Sequence, residues 1–167
     1  MLGLLVAGCG AQVSGAPASK TPAPAVADSR QVQMCTILTG AELTTLGVRL
    51  DTRRKFNKMG VVGCRWLGKP FTLSLARDND TLAGYQASRH DPKFVNFVDN
   101  TVNSRAGAHF GVDPSGSHCA QLIDGGSVSL SVSVAVPTTV NPRPVDPCAE
   151  ALRIAQMIEP RLPQAPK

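Results

Sequence analysis

Four cysteines, Cys35, Cys64, Cys119 and Cys148, constrain the fold of this 167-residue chain more than any other feature. What they do depends on the compartment, and a fifth cysteine speaks to that. Leu5-Val6-Ala7-Gly8-Cys9 reads as a bacterial lipobox: an aliphatic residue, two small residues before a peptidase cut, then a cysteine whose thiol takes a diacylglycerol. On that reading residues 1–9 are a signal segment, Cys9 becomes the lipidated N-terminus, and everything after it lies on the extracytoplasmic face of the cell membrane. Met1 to Gly8 holds no Lys or Arg, so a charged n-region is expected upstream. In an oxidising compartment an even number of cysteines reads as two disulfides, with three pairings open. The rival is a zinc site, built from all four cysteines or from cysteine and histidine together, given His118 beside Cys119, but the C-x2-C pairs typical of such sites are missing.

Residues 10–33 read as a stalk. From Gly10 to Arg30, 14 of 21 residues are Ala, Pro, Ser or Gly and none is aromatic. Such a segment buries too little apolar area to offset its ordering entropy. As a flexible tether it would span roughly 25 Å. Residues 34–163 are then one globular domain, long enough for a real core, followed by a short tail, 164–167. No stretch approaches the roughly 18 apolar residues of a membrane-spanning helix.

Within the domain, Thr39-Gly40-Ala41-Glu42 is a capping box, with Leu38 and Leu43 at the staple positions and Gly47 as the stop. Arg49 to Lys58 reads as a polar connection. Val61–Trp66 and Phe71–Arg77 form a hairpin, since Phe71, Leu73 and Leu75 alternate with Thr72, Ser74 and Ala76. Asp78-Asn79-Asp80-Thr81 caps a second helix near Thr81–Arg89, which Phe94, Val95, Phe97 and Val98 either extend or follow as core residues. Arg105–Phe110 is a weak strand. Cys119–Ile123 and Ser127–Val136 make the clearest hairpin, around Asp124-Gly125-Gly126. Asp146-Pro147 starts a last helix that carries Ala151, Leu152, Ala155, Ile158 and Leu162 at helical spacing, closed by Pro160 and Pro163. The pattern predicts a disulfide-stabilised α+β domain: an antiparallel sheet of about four to five strands with helices packed on one face. The helix-then-hairpin order occurs twice, without enough shared sequence to mark a repeat.

Consecutive elements tend to be neighbours in space. Of the three pairings, adjacency therefore favours Cys35–Cys64 and Cys119–Cys148, each tying the start of a helix to a neighbouring strand.

Charge is concentrated. Arg49 to Arg77 holds eight Lys or Arg against Asp51 alone, a local charge of +7, while the rest of the chain nets −2 and the whole +5. Arg53, Arg54, Lys55 and Lys58 are the candidate contacts for anionic lipid or acidic envelope polymer; a solvated loop is the plainer account. Nucleic acid is not expected, because the segment lacks interleaved aromatics for stacking. Catalytic signals are thin. His90, His109 and His118 fit no metal spacing, and no S-x-x-K occurs. Asp78 and Asp80 fit capping better than a carboxylate pair. Gly63 to Lys69 mimics a phosphate-binding loop, but Pro70 stands where Ser or Thr is needed, so no cofactor is expected.

Several landmarks occur together: Cys35-Thr36-Ile37-Leu38-Thr39-Gly40-Ala41-Glu42-Leu43, Gly63-Cys64-Arg65-Trp66, Cys119, and Asp146-Pro147-Cys148-Ala149-Glu150-Ala151 with Leu162-Pro163. As an ordered set they resemble the actinobacterial lipoproteins grouped as domain of unknown function 3558. The resemblance implies an exported lipoprotein and carries over no catalytic residue. The function expected is a lipid-anchored binding or interaction module, whose partner would be an anionic lipid or polymer or another envelope protein. A carrier for an apolar ligand is the alternative, and an envelope enzyme is disfavoured.

Overall fold

The two hairpins foreseen in the sequence are the middle of a larger sheet. A computed structural model describes residues 28–139 and 142–164. Its strands are β1 (Arg54–Lys58), β2 (Val61–Trp66), β3 (Thr72–Asp78), β4 (Val95–Val102), β5 (Arg105–Gly111), β6 (His118–Asp124) and β7 (Ser129–Ala135). They form one antiparallel sheet in the order β1-β2-β3-β7-β6-β5-β4. Seven strands replace the four to five expected. The two that were not foreseen, β1 and β4, are the edges. Edge strands carry charge and irregularity that blunt further pairing, and these features erase the period-2 signal. Arg54-Lys55-Phe56-Asn57-Lys58 has one apolar residue, and β4 shifts register between Val95 and Val98, with Asn96 at φ 52°.

The helices are α1 (Gly40–Thr45), α2 (Leu82–Ala87) and α3 (Pro147–Ile158). Each starts where its capping residues put it. Thr39 and Glu42 exchange side-chain-to-backbone bonds at the start of α1, Thr81 Oγ1 accepts from Gly84 N at 3.1 Å, and Asp146 accepts from Cys148 N and Ala149 N ahead of Pro147. A C-terminal 3-10 turn (Glu159–Arg161) follows α3.

Alternation sorts the sheet into two faces. Leu73 and Leu75 of β3, Leu130, Val132 and Val134 of β7, and Ile123 of β6 point one way and are fully buried. Ala151, Ile154, Ala155 and Ile158 of α3 close over them, with Leu38, Leu43, Leu46 and Trp66 extending the same core. Each such aliphatic side chain contributes about 1.5–3 kcal/mol relative to exposure. The opposite face is not bare. Leu82 and Tyr85 of α2 cover Ala108, Phe110, Ala120 and Leu122, joined by Phe94 and Phe97. Helices therefore pack on both faces instead of one. Ser131 and Ser133 of β7 lie on this second face, but the apolar residues that β5 and β6 place beside them require cover.

Cys64 of β2 bonds Cys35, and Cys119 of β6 bonds Cys148 in the first turn of α3, with Cα atoms 5.1 Å apart in each bridge. These are the pairs that adjacency favoured. Packed structure also begins earlier than composition suggested. Asp28 caps a 3-10 turn (Ser29–Gln31), and Ser29 is 5% exposed. A methyl group on Gly125, in the β6–β7 turn, would lie 3.1 Å from Ser29 Cβ. Cys9, its lipobox and the stalk up to Ala27 lie outside the described residues, as do 140–141 and 165–167. Among the described residues, no helix is long and apolar enough to cross a membrane.

Candidate functional site

The basic segment read as a connection is half of a hairpin. Leu50–Thr52 forms a 3-10 turn that Arg53 closes. β1 then pairs with β2 in the register Arg54↔Arg65, Lys55↔Cys64, Phe56↔Gly63, Asn57↔Val62 and Lys58↔Val61. Side chains alternate across a strand, so Arg54, Phe56 and Lys58 share one face with Arg65, and Lys55 with Asn57 lies on the other. Arg53, Arg54, Lys55 and Lys58 are all exposed. They wrap the rim of the sheet instead of clustering on one loop.

These cations make no ion pair among the described residues. Among the described residues the ion pairs are Arg30–Asp28, Arg89–Asp99, Lys93–Asp91, Arg105–Glu159, Arg153–Glu150 and Arg161–Glu42. None involves a Lys or Arg between Arg49 and Arg77. Arg54 and Arg65 stand directly opposite each other, a like-charge pairing that disfavours the ladder. An anion bound between them would relieve it.

Sequence reasoning missed the turn that joins the strands. Met59 and Gly60 have φ 51° and 85°, the two positive values of a type I′ turn, where Asn-Gly is the usual choice. Methionine in that region is strained, and this one is 100% exposed. Val62, three residues on, is 37% exposed. The Met-Gly dipeptide between a basic run and an apolar one was the available signal.

Other candidates resolve into structural roles. Cys119 is in its disulfide, and His118 Nε2 lies 2.8 Å from Ser133 Oγ, with burial holding the imidazole below its usual pKa. His109 Nδ1 is 3.3 Å from Asn100 Nδ2, and His90 is exposed. Asp78 accepts from Asp80 N at 3.0 Å and from the Tyr85 hydroxyl, whose pKa is raised chiefly by burial. The pair Asp78 and Asp80 therefore shapes the turn, while Thr81 is the cap. Among the described residues, no three His, Cys, Asp or Glu side chains gather as a metal site would require. The space between α3 and the sheet holds side chains, with Leu75, Val132, Ile154 and Ile158 all at 0% exposure.

Comparison with known proteins returns one family. The model described as protein of unknown function (DUF3558) matches residues 4–161. No curated protein and no solved structure matches the chain.

Proposed function

The chain belongs to the DUF3558 family, and from that premise we propose that it is an exported, lipid-anchored binding module of the cell envelope whose partner is anionic. The observation that carries the reading is the set of eight Lys and Arg between Arg49 and Arg77, none of which makes an ion pair among the described residues. A charged side chain on a folded surface is ordinarily placed among opposite charges, and a block left without them attracts an external counter-charge. The lipobox ending at Cys9 supports anchoring, and the two disulfides suit an oxidising compartment. An apolar carrier has less support, because the helix–sheet interface is filled.

The two parts of the proposal are tested together. Protein expressed with a charged n-region should enter the detergent phase, and Cys9→Ser should move it to the aqueous phase. The unlipidated full chain should still sediment with phosphatidylglycerol vesicles and much less with phosphatidylcholine ones. Each basic residue near such a surface is worth about 1 kcal/mol, and added salt should weaken the binding. Changing Arg53, Arg54, Lys55 and Lys58 together to Gln should abolish the preference. An unchanged detergent fraction removes the anchor from the proposal; equal, weak sedimentation with both vesicle types removes the anionic partner.

A further inference from the structure

Three features of the fold meet at one end of the sheet. The first is the β1–β2 tip, with Met59 fully exposed and Val62 beside it. The second is cationic charge: Lys58 adjoins the tip, and Lys55 and Arg54 follow about 10 and 13 Å up the strand at its usual rise. The third is the point where the chain leaves toward Cys9. Gly60 O accepts from Asn79 N at 3.3 Å, and Val61 and Val62 pair with Asp78 and Arg77, so the tip sits beside the end of β3. Ser29 lies against Gly125 in the β6–β7 turn, which is at that same end because Ser129 pairs with both Asp78 and Asp124. The Asp28 carboxyl is held low mainly by Arg30 and, in smaller part, by the charge of Arg77. Three strand spacings, about 14 Å, separate the two turns.

We infer that this end of the domain faces the bilayer, and that the β1–β2 tip docks on anionic lipid, with Met59 entering the headgroup region and Lys58 and Lys55 meeting phosphates. The inference rests on the proposed anchoring at Cys9 and on the cationic rim as a contact surface. Only 18 residues separate Cys9 from Asp28, so a lipidated Cys9 keeps Asp28 within about 65 Å of the membrane even when the chain is fully extended. The tip shares the end from which Asp28 departs. Charge alone would fit any polyanion. A fully exposed methionine held in a strained turn, with a half-exposed valine beside it, fits a surface that has an apolar layer behind its charge. Long Lys side chains lay their methylenes along such a boundary and keep their ammonium groups in water. Asp80, on the turn that backs Gly60, is exposed and opposes the attraction. At the tip itself it stands against Lys58 and Lys55, while Asp28, Asp78 and Asp124 lie at the same end of the sheet, Asp28 paired with Arg30.

The test uses the unlipidated full chain carrying Cys9→Ser and Met59→Cys. The other four cysteines are paired, so an environment-sensitive fluorophore attaches at position 59 alone. A parallel protein carries Leu67→Cys, an exposed position beyond the opposite end of β2. With phosphatidylglycerol vesicles the label at 59 should shift to the blue and brighten at least twofold, and the label at 67 should not. Met59→Asn, which suits the turn conformation, should sediment with these vesicles at least threefold less than the parent. Sedimentation without a response at 59, an equal response at 67, or an unweakened Met59→Asn variant overturns the docking mode and leaves the cationic reading standing. Failure to sediment at all overturns both.

Discussion

The carboxylate of Glu42 accepts from Thr39 N at 2.8 Å and from Thr39 Oγ1 at 2.9 Å, and it faces Arg161, whose Nη1 lies 3.0 Å from Oε2. Arg161 Nη1 also donates to Ile37 O at 2.6 Å. One carboxylate thus completes a helix cap and ties the C-terminal turn back to the start of the domain. Hydrogen bonding from Arg161 first, and from Thr39 next, pulls the Glu42 pKa from 4.5 down to about 2. The folded state favours the ionised form. The stabilisation is therefore complete above pH 4.5 and is lost as pH falls through about 2. Glu42→Gln should lower the urea midpoint at pH 7, and its deficit against the parent should shrink below pH 4.5. Equal midpoints at neutral pH would show that the pair contributes nothing. A more buried partnership acts beside it. Arg105 is 6% exposed and spans Glu159 Oε1 at 3.1 Å, Asp124 O at 3.0 Å and Pro163 O at 2.5 Å. It fastens the segment after α3 to β5 and the end of β6.

Among elements, legibility followed local chemistry. α1, α2 and α3 were readable because Thr39, Thr81 and Asp146 announce their starts, and β2, β3, β6 and β7 because apolar and polar residues alternate or cluster between turns. β1 was hidden because an edge strand needs no buried face, so Arg54 to Lys58 shows none. β4 was hidden because Phe94, Val95, Phe97 and Val98 are spaced as a helix would space them, while the irregular register spends a residue on a bend. The candidate site was half legible. Its cations could be counted in sequence, but their position on a rim, the exposed Met59 and the nearby exit of the chain are products of tertiary pairing. The disulfides belong to this scale too. Each bridge spans 29 residues and joins a strand to a segment entering or starting a helix. Closing a loop of that size restricts the unfolded chain by roughly 3–4 kcal/mol on the chain-entropy estimate. The double change Cys119→Ala with Cys148→Ala should lower unfolding free energy by about that amount, as read from denaturant melts. A loss under about 1 kcal/mol would mean that β6 and α3 hold each other without the bridge.

Across the whole molecule, two helix-led meanders stand side by side. α1 precedes β1, β2 and β3; α2 precedes β4, β5, β6 and β7. Their strands meet where β3 and β7 pair, over seven residue pairs from Thr72↔Ala135 to Asp78↔Ser129. The Arg161–Glu42 pair and the core that α3 shares with β3 also cross between them. Each disulfide stays on its own side of that seam, so no covalent link besides the main chain crosses it. The ladder and the core beneath it, where Leu73, Leu75, Leu130, Val132 and Val134 are all at 0% exposure, hold the halves together beside the Arg161–Glu42 pair. Local opening costs least where few buried contacts oppose it and approaches the global value at the core. β1 has four exposed residues out of five and a single neighbouring strand. Native-state hydrogen exchange should therefore rank β3 and β7 as the slowest strands and β1 as the fastest, with the β3 and β7 amides exchanging only through global unfolding. That order suits the proposed role, because a contact rim can adjust to a surface without loosening the seam. β1 amides as slow as those of β3 would show that the rim is as rigid as the core. β3 amides that open well below the global free energy would show that the two meanders separate before they unfold.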